Sequence, residues 1–135
     1  MKIEDLKIAI YADGANIEKM KQMSQLSYIK GFTTNPTLMK KAGVADYVSF
    51  AKEALAEIPD RPVSMEVFAD DFDKMEREAK EIASWGENVF VKIPVMNTKG
   101  DSAIPLIKKL SAEGLHLNVT AVFTIEQVHS VVEAF

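Results

Sequence analysis

Five short apolar runs, each followed by a stretch whose apolar residues recur at helical spacing, constrain the fold of this chain more than any other feature. The runs are "LKIAIYAD" (6–13), "YIKGFTTN" (28–35), "RPVSMEVF" (61–68), "NVFVKIPV" (88–95) and "LHLNVTAVF" (115–123). After the first comes "GANIEKMKQMSQLS", with Ile17, Met20 and Met23 in helical phase. Pro36 stops the second run and suits the first turn of a helix, where a missing N–H costs nothing. Asp46 is placed to cap "YVSFAKEALAEI", whose Val48, Ala51, Leu55 and Ile58 form a stripe. "DDFDKMEREAKEIASWG" carries acids in its first turn, favourable at the positive end of the macrodipole, and Gly86 as a stop. "DSAIPLIKKLSAEG" has Asp101 as an expected N-cap and Gly114 as a stop, and "TIEQVHSVVEAF" opens another helix. Strands and helices alternating five times predict right-handed βαβ units and a parallel sheet with helices on its outer face. At 135 residues the expectation is a single domain, 1–135, with a real core.

Buried parallel strands usually read as near-continuous apolar runs. Here each strand breaks that rule on one face only. In the fourth, Val89, Val91, Ile93 and Val95 share a face, and the other carries Phe90, Lys92 and Pro94. In the third, Val63, Met65 and Val67 oppose Ser64, Glu66 and Phe68. In the fifth, Leu115, Leu117, Val119 and Ala121 oppose His116, Asn118, Thr120 and Val122. The first puts Ile8, Ile10 and Ala12 on one side and Tyr11 and Asp13 on the other, while Thr33 and Asn35 end the second in one phase. Asp13, Asn35, Glu66, Lys92, Asn118 and Thr120 thus leave the apolar stripe, most of them near the C-terminal ends of strands. In a (β/α) barrel such residues meet at one mouth, where active sites of that fold lie. An open doubly wound sheet would need apolar residues on both faces, so the alternation favours a barrel or part of one.

A lysine set among apolar strand residues has its charged form disfavoured by burial, and the neutral amine is a nucleophile that forms Schiff bases with carbonyls. Nearby Glu66 and Asp13 act the other way, favouring the charge. A carboxylate such as Glu66 could shuttle the proton that dehydrates a carbinolamine, directly or through a water held by Thr120. Asp13 is a candidate base for carbon–carbon cleavage, and Asn35 and Asn118 could bind substrate hydroxyls. A plain buried ion pair between Lys92 and Glu66 is the competing structural explanation. Other chemistries find less support. The chain has no cysteine, so disulfides and thiolate sites are excluded, and His116 and His129 stand apart without acidic partners at metal-ligand spacing. No glycine-rich phosphate loop occurs. A net charge of −4 gives no nucleic-acid or anionic-membrane footprint. No N-terminal apolar run follows a basic segment and no stretch approaches the ~20 apolar residues of a membrane span, so the cytoplasm is the expected location.

"GFTTNPTLM" (31–39), "SMEVF" (64–68), "VFVKIPV" (89–95) and "LNVTAVFT" (117–124), in this order and at these separations, resemble the transaldolase and fructose-6-phosphate aldolase family. "YADGAN" (11–16) is similar to the family's Asp-Thr-Ala-Asn at the end of strand one, with Gly14 in place of threonine. The resemblance covers the whole chain. It implies a class I, Schiff-base-forming (β/α)8 barrel, with Lys92 as the Schiff-base lysine and Asp13 as the acid/base of cleavage. Glu66 and Thr120 would handle the catalytic water, and Asn35, Asn118 and Thr34 would bind the donor. Glu66 leans toward transaldolase, since the aldolase branch typically carries glutamine there. The implied reaction transfers a dihydroxyacetone unit between sugar phosphates in pentose phosphate metabolism, without cofactor or metal. The alternatives are a fructose-6-phosphate or dihydroxyacetone aldolase and a non-catalytic remnant or assembly subunit.

A full barrel takes eight strands and roughly 250 residues, or about 200 at the compact end. This chain supplies about five βα units, and the family's later strands carry the substrate-phosphate ligands. Strands one and five are therefore expected to be open edges, covered in a longer protein, by a completing second chain, or by self-association as a homo-oligomer or edge-paired assembly.

Overall fold

The computed structural model describes residues 3–135. After a short 3-10 turn at Ile3–Asp5, the elements run β1 (Ile10–Asp13), α1 (Ile17–Ser24), β2 (Ile29–Thr33), α2 (Pro36–Lys41) and α3 (Tyr47–Glu57). They continue with β3 (Val63–Glu66), α4 (Phe72–Ala83), β4 (Val89–Pro94), α5 (Ile104–Ala112), β5 (Leu117–Thr120) and α6 (Ile125–Ala134). The strands hydrogen-bond in the order β1-β2-β3-β4-β5, and the registered pairs are parallel. A sheet order identical to chain order, with a helix in every connection, is the winding of a (β/α) barrel rather than of a doubly wound sheet. Five such units make this a partial (β/α) barrel. The chain divides into two compact units, Met1–Met65 with Trp85–Val89 and Glu66–Ser84 with Phe90–Phe135.

In the first unit, Asn16 caps α1 through a bond accepted from the Lys19 N–H, and Asp46 caps α3 by accepting from the N–H and hydroxyl of Ser49. Pro36 stands at the start of α2, as its missing N–H predicts. Phe50, Ala51, Ala54 and Leu55 of α3 are buried, together with Ile29, Phe32, Val63 and Met65 from the strands. The Tyr11 ring lies directly over Gly31, its register partner, where any Cβ would collide with it. Residues 85–89 belong to this unit because Asn88 Nδ2 donates to the carbonyls of Ile58 (2.7 Å) and Arg61 (3.2 Å), while Trp85 meets Tyr47 edge-on at 5.4 Å.

In the second unit, Met75, Ala79 and Ile82 of α4 and Leu106, Ile107 and Leu110 of α5 are buried at helical spacing. Glu76 of α4 accepts from Lys80 at 2.8 Å and lies 2.7 Å from Lys109 of α5, and Lys80 also pairs with Glu113 at 2.9 Å. The bond from Lys109, then that from Lys80, lowers the Glu76 carboxyl to about 2. A carboxyl depressed in the folded state contributes stability above its ordinary value near 4.5 and loses it as pH falls toward about 2. Melting temperature should therefore drop across that window in the wild type and less steeply in Glu76→Gln. Because the lysines are about half exposed, added salt should shrink the difference. Equal slopes would show that the cluster contributes nothing.

Several elements differ from the sequence expectation. β1 spans 10–13 rather than 6–13: Leu6 closes a turn onto the Ile3 carbonyl, Ile8 is exposed, and the ladder to β2 begins only at Ile10↔Ile29. β2, expected over 28–35, runs from Ile29 to Thr33, because Asn35 turns to cap α2. β3, expected over 61–68, spans Val63–Glu66, although Val67 is buried as its phase requires. β5 stops at Thr120 because Ala121 has φ +56°, a left-handed conformation that breaks the ladder. Asp101 is not the N-cap of α5. It is drawn into a loop with Asn97, accepting from Asn97 Nδ2 at 3.0 Å and donating its own N–H to Asn97 Oδ1 at 2.8 Å, so the helix starts three residues later. α4 ends at Ala83 with Ser84 as C-cap, two residues before Gly86. Ser64, assigned to the polar face, is buried at 1% exposure.

Candidate active site

β4 alternates buried and half-buried residues along its whole length, as a run of β-branched residues at every second position dictates. Its ladder with β5 pairs Val91↔Leu117, Lys92↔Asn118, Ile93↔Val119 and Pro94↔Thr120, and the Val95 N–H extends it to the Thr120 carbonyl at 2.9 Å. One face of this ribbon is thus built in rows. Phe90 stacks on His116 with ring centroids 4.9 Å apart and 15° between planes, Lys92 and Asn118 lie beside each other next, and Pro94 and Thr120 follow. The opposite face carries Val91, Leu117, Ile93 and Val119.

The Lys92 side chain is 12% exposed and that of Glu66 25%, with Nζ 3.8 Å from Oε2. That is too long for a direct hydrogen bond and short enough for an attraction of about 1 to 4 kcal/mol, between the limits set by water and by a protein surface. Such spacing suits a carboxylate that handles protons near an amine without being locked to it. The segment leaving β3 is tied to this lysine, since the Val67 N–H donates to the Lys92 carbonyl at 3.2 Å. A cavity of about 580 Å³ also opens in this unit, but its walls are Asp70, Asp71, Asp73, Lys74, Asn97, Lys99 and Asp101 with Ala69 and Phe72. Neither Lys92 nor Glu66 lines it.

The remaining candidates belong to the first unit. Asp13 ends β1, exposed, and accepts from the Thr33 hydroxyl at 2.7 Å. Thr34 is fully buried and donates its N–H to the Ser64 carbonyl at 3.2 Å. Asn35 is the N-cap of α2, its Oδ1 accepting from the Leu38 N–H at 2.9 Å, so a ligand hydroxyl would be met by its Nδ2 donors. The structure therefore brings Lys92, Glu66 and Asn118 together with Thr120 one row beyond, and sets Asp13 against Thr33. The Phe90–His116 stack was not anticipated, though both residues are in phase on the polar faces of their strands.

A sequence profile described as Transaldolase/Fructose-6-phosphate aldolase matches residues 10–135. The chain belongs to this family. A probable transaldolase of Dehalococcoides mccartyi is 42% identical over 118 residues, covering 87% of this chain and 53% of that protein. A probable transaldolase of Methanococcus maripaludis is 44% identical over 117 residues, covering 87% and 52%, and probable transaldolase 2 of Listeria monocytogenes is 38% identical, covering 87% and 51%. The chain thus spans about half the length of the curated relatives it matches. The parallel βα units described above are those of a transaldolase-family barrel, and among the described residues no helix is long and apolar enough to cross a membrane.

Proposed function

We propose that this chain takes part in transaldolase-type transfer of a dihydroxyacetone unit between sugar phosphates, a step of pentose phosphate metabolism, with Lys92 forming the Schiff base. The observation that carries the proposal is a largely buried strand lysine 3.8 Å from a carboxylate with an asparagine alongside. The Lys92 amine adds to a ketose carbonyl, giving a carbinolamine. Glu66, with a water oriented by Thr120, supplies the proton with which the carbinolamine hydroxyl leaves as water, giving the iminium. Asp13 takes the proton of the hydroxyl on the carbon two positions from the iminium carbon, the bond between that carbon and the carbon next to the iminium breaks, and its electron pair moves into the iminium to give an enamine. An aldose phosphate leaves; an acceptor aldehyde takes the enamine carbon and recovers a proton, and water then frees the new ketose from Lys92. Asn118 and Asn35 hold donor hydroxyls in this scheme, in which the fully buried Thr34 takes no direct part.

Borohydride reduction in the presence of dihydroxyacetone or fructose 6-phosphate, followed by mass spectrometry, tests it. An adduct mapped to Lys92 supports the proposal, and transfer to erythrose 4-phosphate separates transaldolase from a simple aldolase. A folded chain without adduct would overturn the proposal. Glu66→Gln should slow adduct formation by about a hundredfold, the usual scale for one positioned proton-transfer group. Its melting temperature should change little, because Glu66 keeps partial access to water. Equal loss of rate and stability would make Glu66 mainly structural.

A further inference from the structure

The peptide that leaves β3 directly after Glu66 is held at four successive residues by groups outside it. The Val67 N–H donates to the carbonyl of Lys92 at 3.2 Å. The N–H groups of Phe68 and Ala69 both donate to Oε2 of Glu78, in the second turn of α4, at 2.7 and 2.9 Å. Asp70 accepts from the Thr98 N–H and hydroxyl, each at 2.7 Å, and these bonds hold its carboxyl below the ordinary range. Phe68 is 55% exposed, so its amide lies where water could satisfy it. A half-buried carboxylate there is a stronger and more directional acceptor than water, and one oxygen shared by two successive amides fixes the orientation of the peptide between them. That peptide begins two residues after Glu66, and its neighbour Val67 is bonded to the lysine's own residue.

We propose that Glu78 is a positioning residue that sets Glu66 against Lys92, with the Asp70–Thr98 contact anchoring the far end of the same segment. The proposal rests on the Schiff-base reading above. Without Glu78 the β3 terminus keeps its ladder but loses the clamp that fixes where Glu66 points, and misplacement by about 1 Å at a reacting centre costs up to about a hundredfold in rate.

The test is the rate of borohydride-trapped adduct on Lys92 with dihydroxyacetone, measured against pH and normalised to folded protein. Glu78→Ala should slow trapping by about tenfold and change its pH profile in the same direction as Glu66→Gln does. Glu78→Gln, whose carbonyl oxygen still accepts from both amides, should recover most of the rate. The double variant Glu66→Gln/Glu78→Ala should be no slower than Glu66→Gln alone, because both changes act through one group. If Glu78→Ala does not fold, Glu78→Asp, which keeps the charge and withdraws the oxygen, carries the same expectation of slower trapping. A wild type that traps beside a folded Glu78 variant with unchanged rate and pH profile overturns the inference alone, as do effects that multiply in the double variant. A wild type that never traps overturns the Schiff-base reading, and the inference with it.

Discussion

Lys92→Met is expected to abolish the borohydride-trapped adduct while the chain stays folded. The adduct requires an amine that can lose its proton next to a group able to move one, and on the β4–β5 face only Lys92 is an amine, with Glu66 at 3.8 Å. Loss should reach background, more than about a thousandfold, since the nucleophile itself is removed. Stability should suffer far less. Methionine preserves the unbranched stem that packs along the strand, and the cost comes from leaving Glu66 without its cation. Breaking a fully buried pair costs about 3–5 kcal/mol, but the Glu66 side chain is 25% exposed and keeps part of its hydration, so a smaller loss is expected. Peptide mapping and thermal melts read the two effects separately. An adduct of wild-type intensity on another lysine in Lys92→Met would remove Lys92 from its assigned place.

How much of this was legible in the sequence depends on whether the deciding interaction is local. β4 was legible because Val89, Val91, Ile93 and Val95 alternate without interruption, and the burial pattern follows that alternation residue by residue. The caps at Asp46 and the proline at the start of α2 were legible because a cap bonds three residues away. Asp101 misled for the same reason: Asn97, four residues before it, offers a competing local partner that a capping rule does not weigh. Ser64 misled because a small hydroxyl can be buried at little cost once it is hydrogen-bonded, so polarity alone does not predict exposure. The ends of β1 and β5 were overextended because a strand continues only while a partner faces it. Ile8 has no place in the β1–β2 register, and Ala121 adopts a conformation its sequence context does not announce.

Glu78 and Asp70 were invisible for a different reason. Their partners lie 9 and 10 residues away for Glu78 and 28 for Asp70, and three of the four donors they accept from are backbone N–H groups, which carry no side-chain signature. Lys92 and Glu66 drew notice as charges in apolar strands; a carboxylate on a polar helix face does not stand out. Residues that perform chemistry in a strand are therefore easier to find from sequence than residues that hold them in place.

Ile93→Ala tests the assignment of faces from the other side. Ile93 follows Lys92 directly, is 0% exposed, and is paired in register with Val119 on the face opposite the lysine. Removing three carbons from a fully buried side chain costs the lost transfer energy plus a cavity term, about 2–5 kcal/mol, and Ile93→Val about 0.5–1.5. A loss near 3 kcal/mol is roughly a hundredfold in the folding equilibrium and should appear as a lower urea midpoint with an unchanged slope. At a temperature where the variant is fully folded, the rate of Lys92 trapping should stay within a few-fold of wild type. Lys92→Met is expected to give the reverse, a lost adduct with a modest change in midpoint. The contrast is diagnostic because a one-residue slip of a strand exchanges its two faces completely. If β4 were shifted by one position, Ile93 would stand beside Asn118 and Lys92 would be interior, and the two variants would exchange phenotypes: Ile93→Ala mild in stability, Lys92→Met severe.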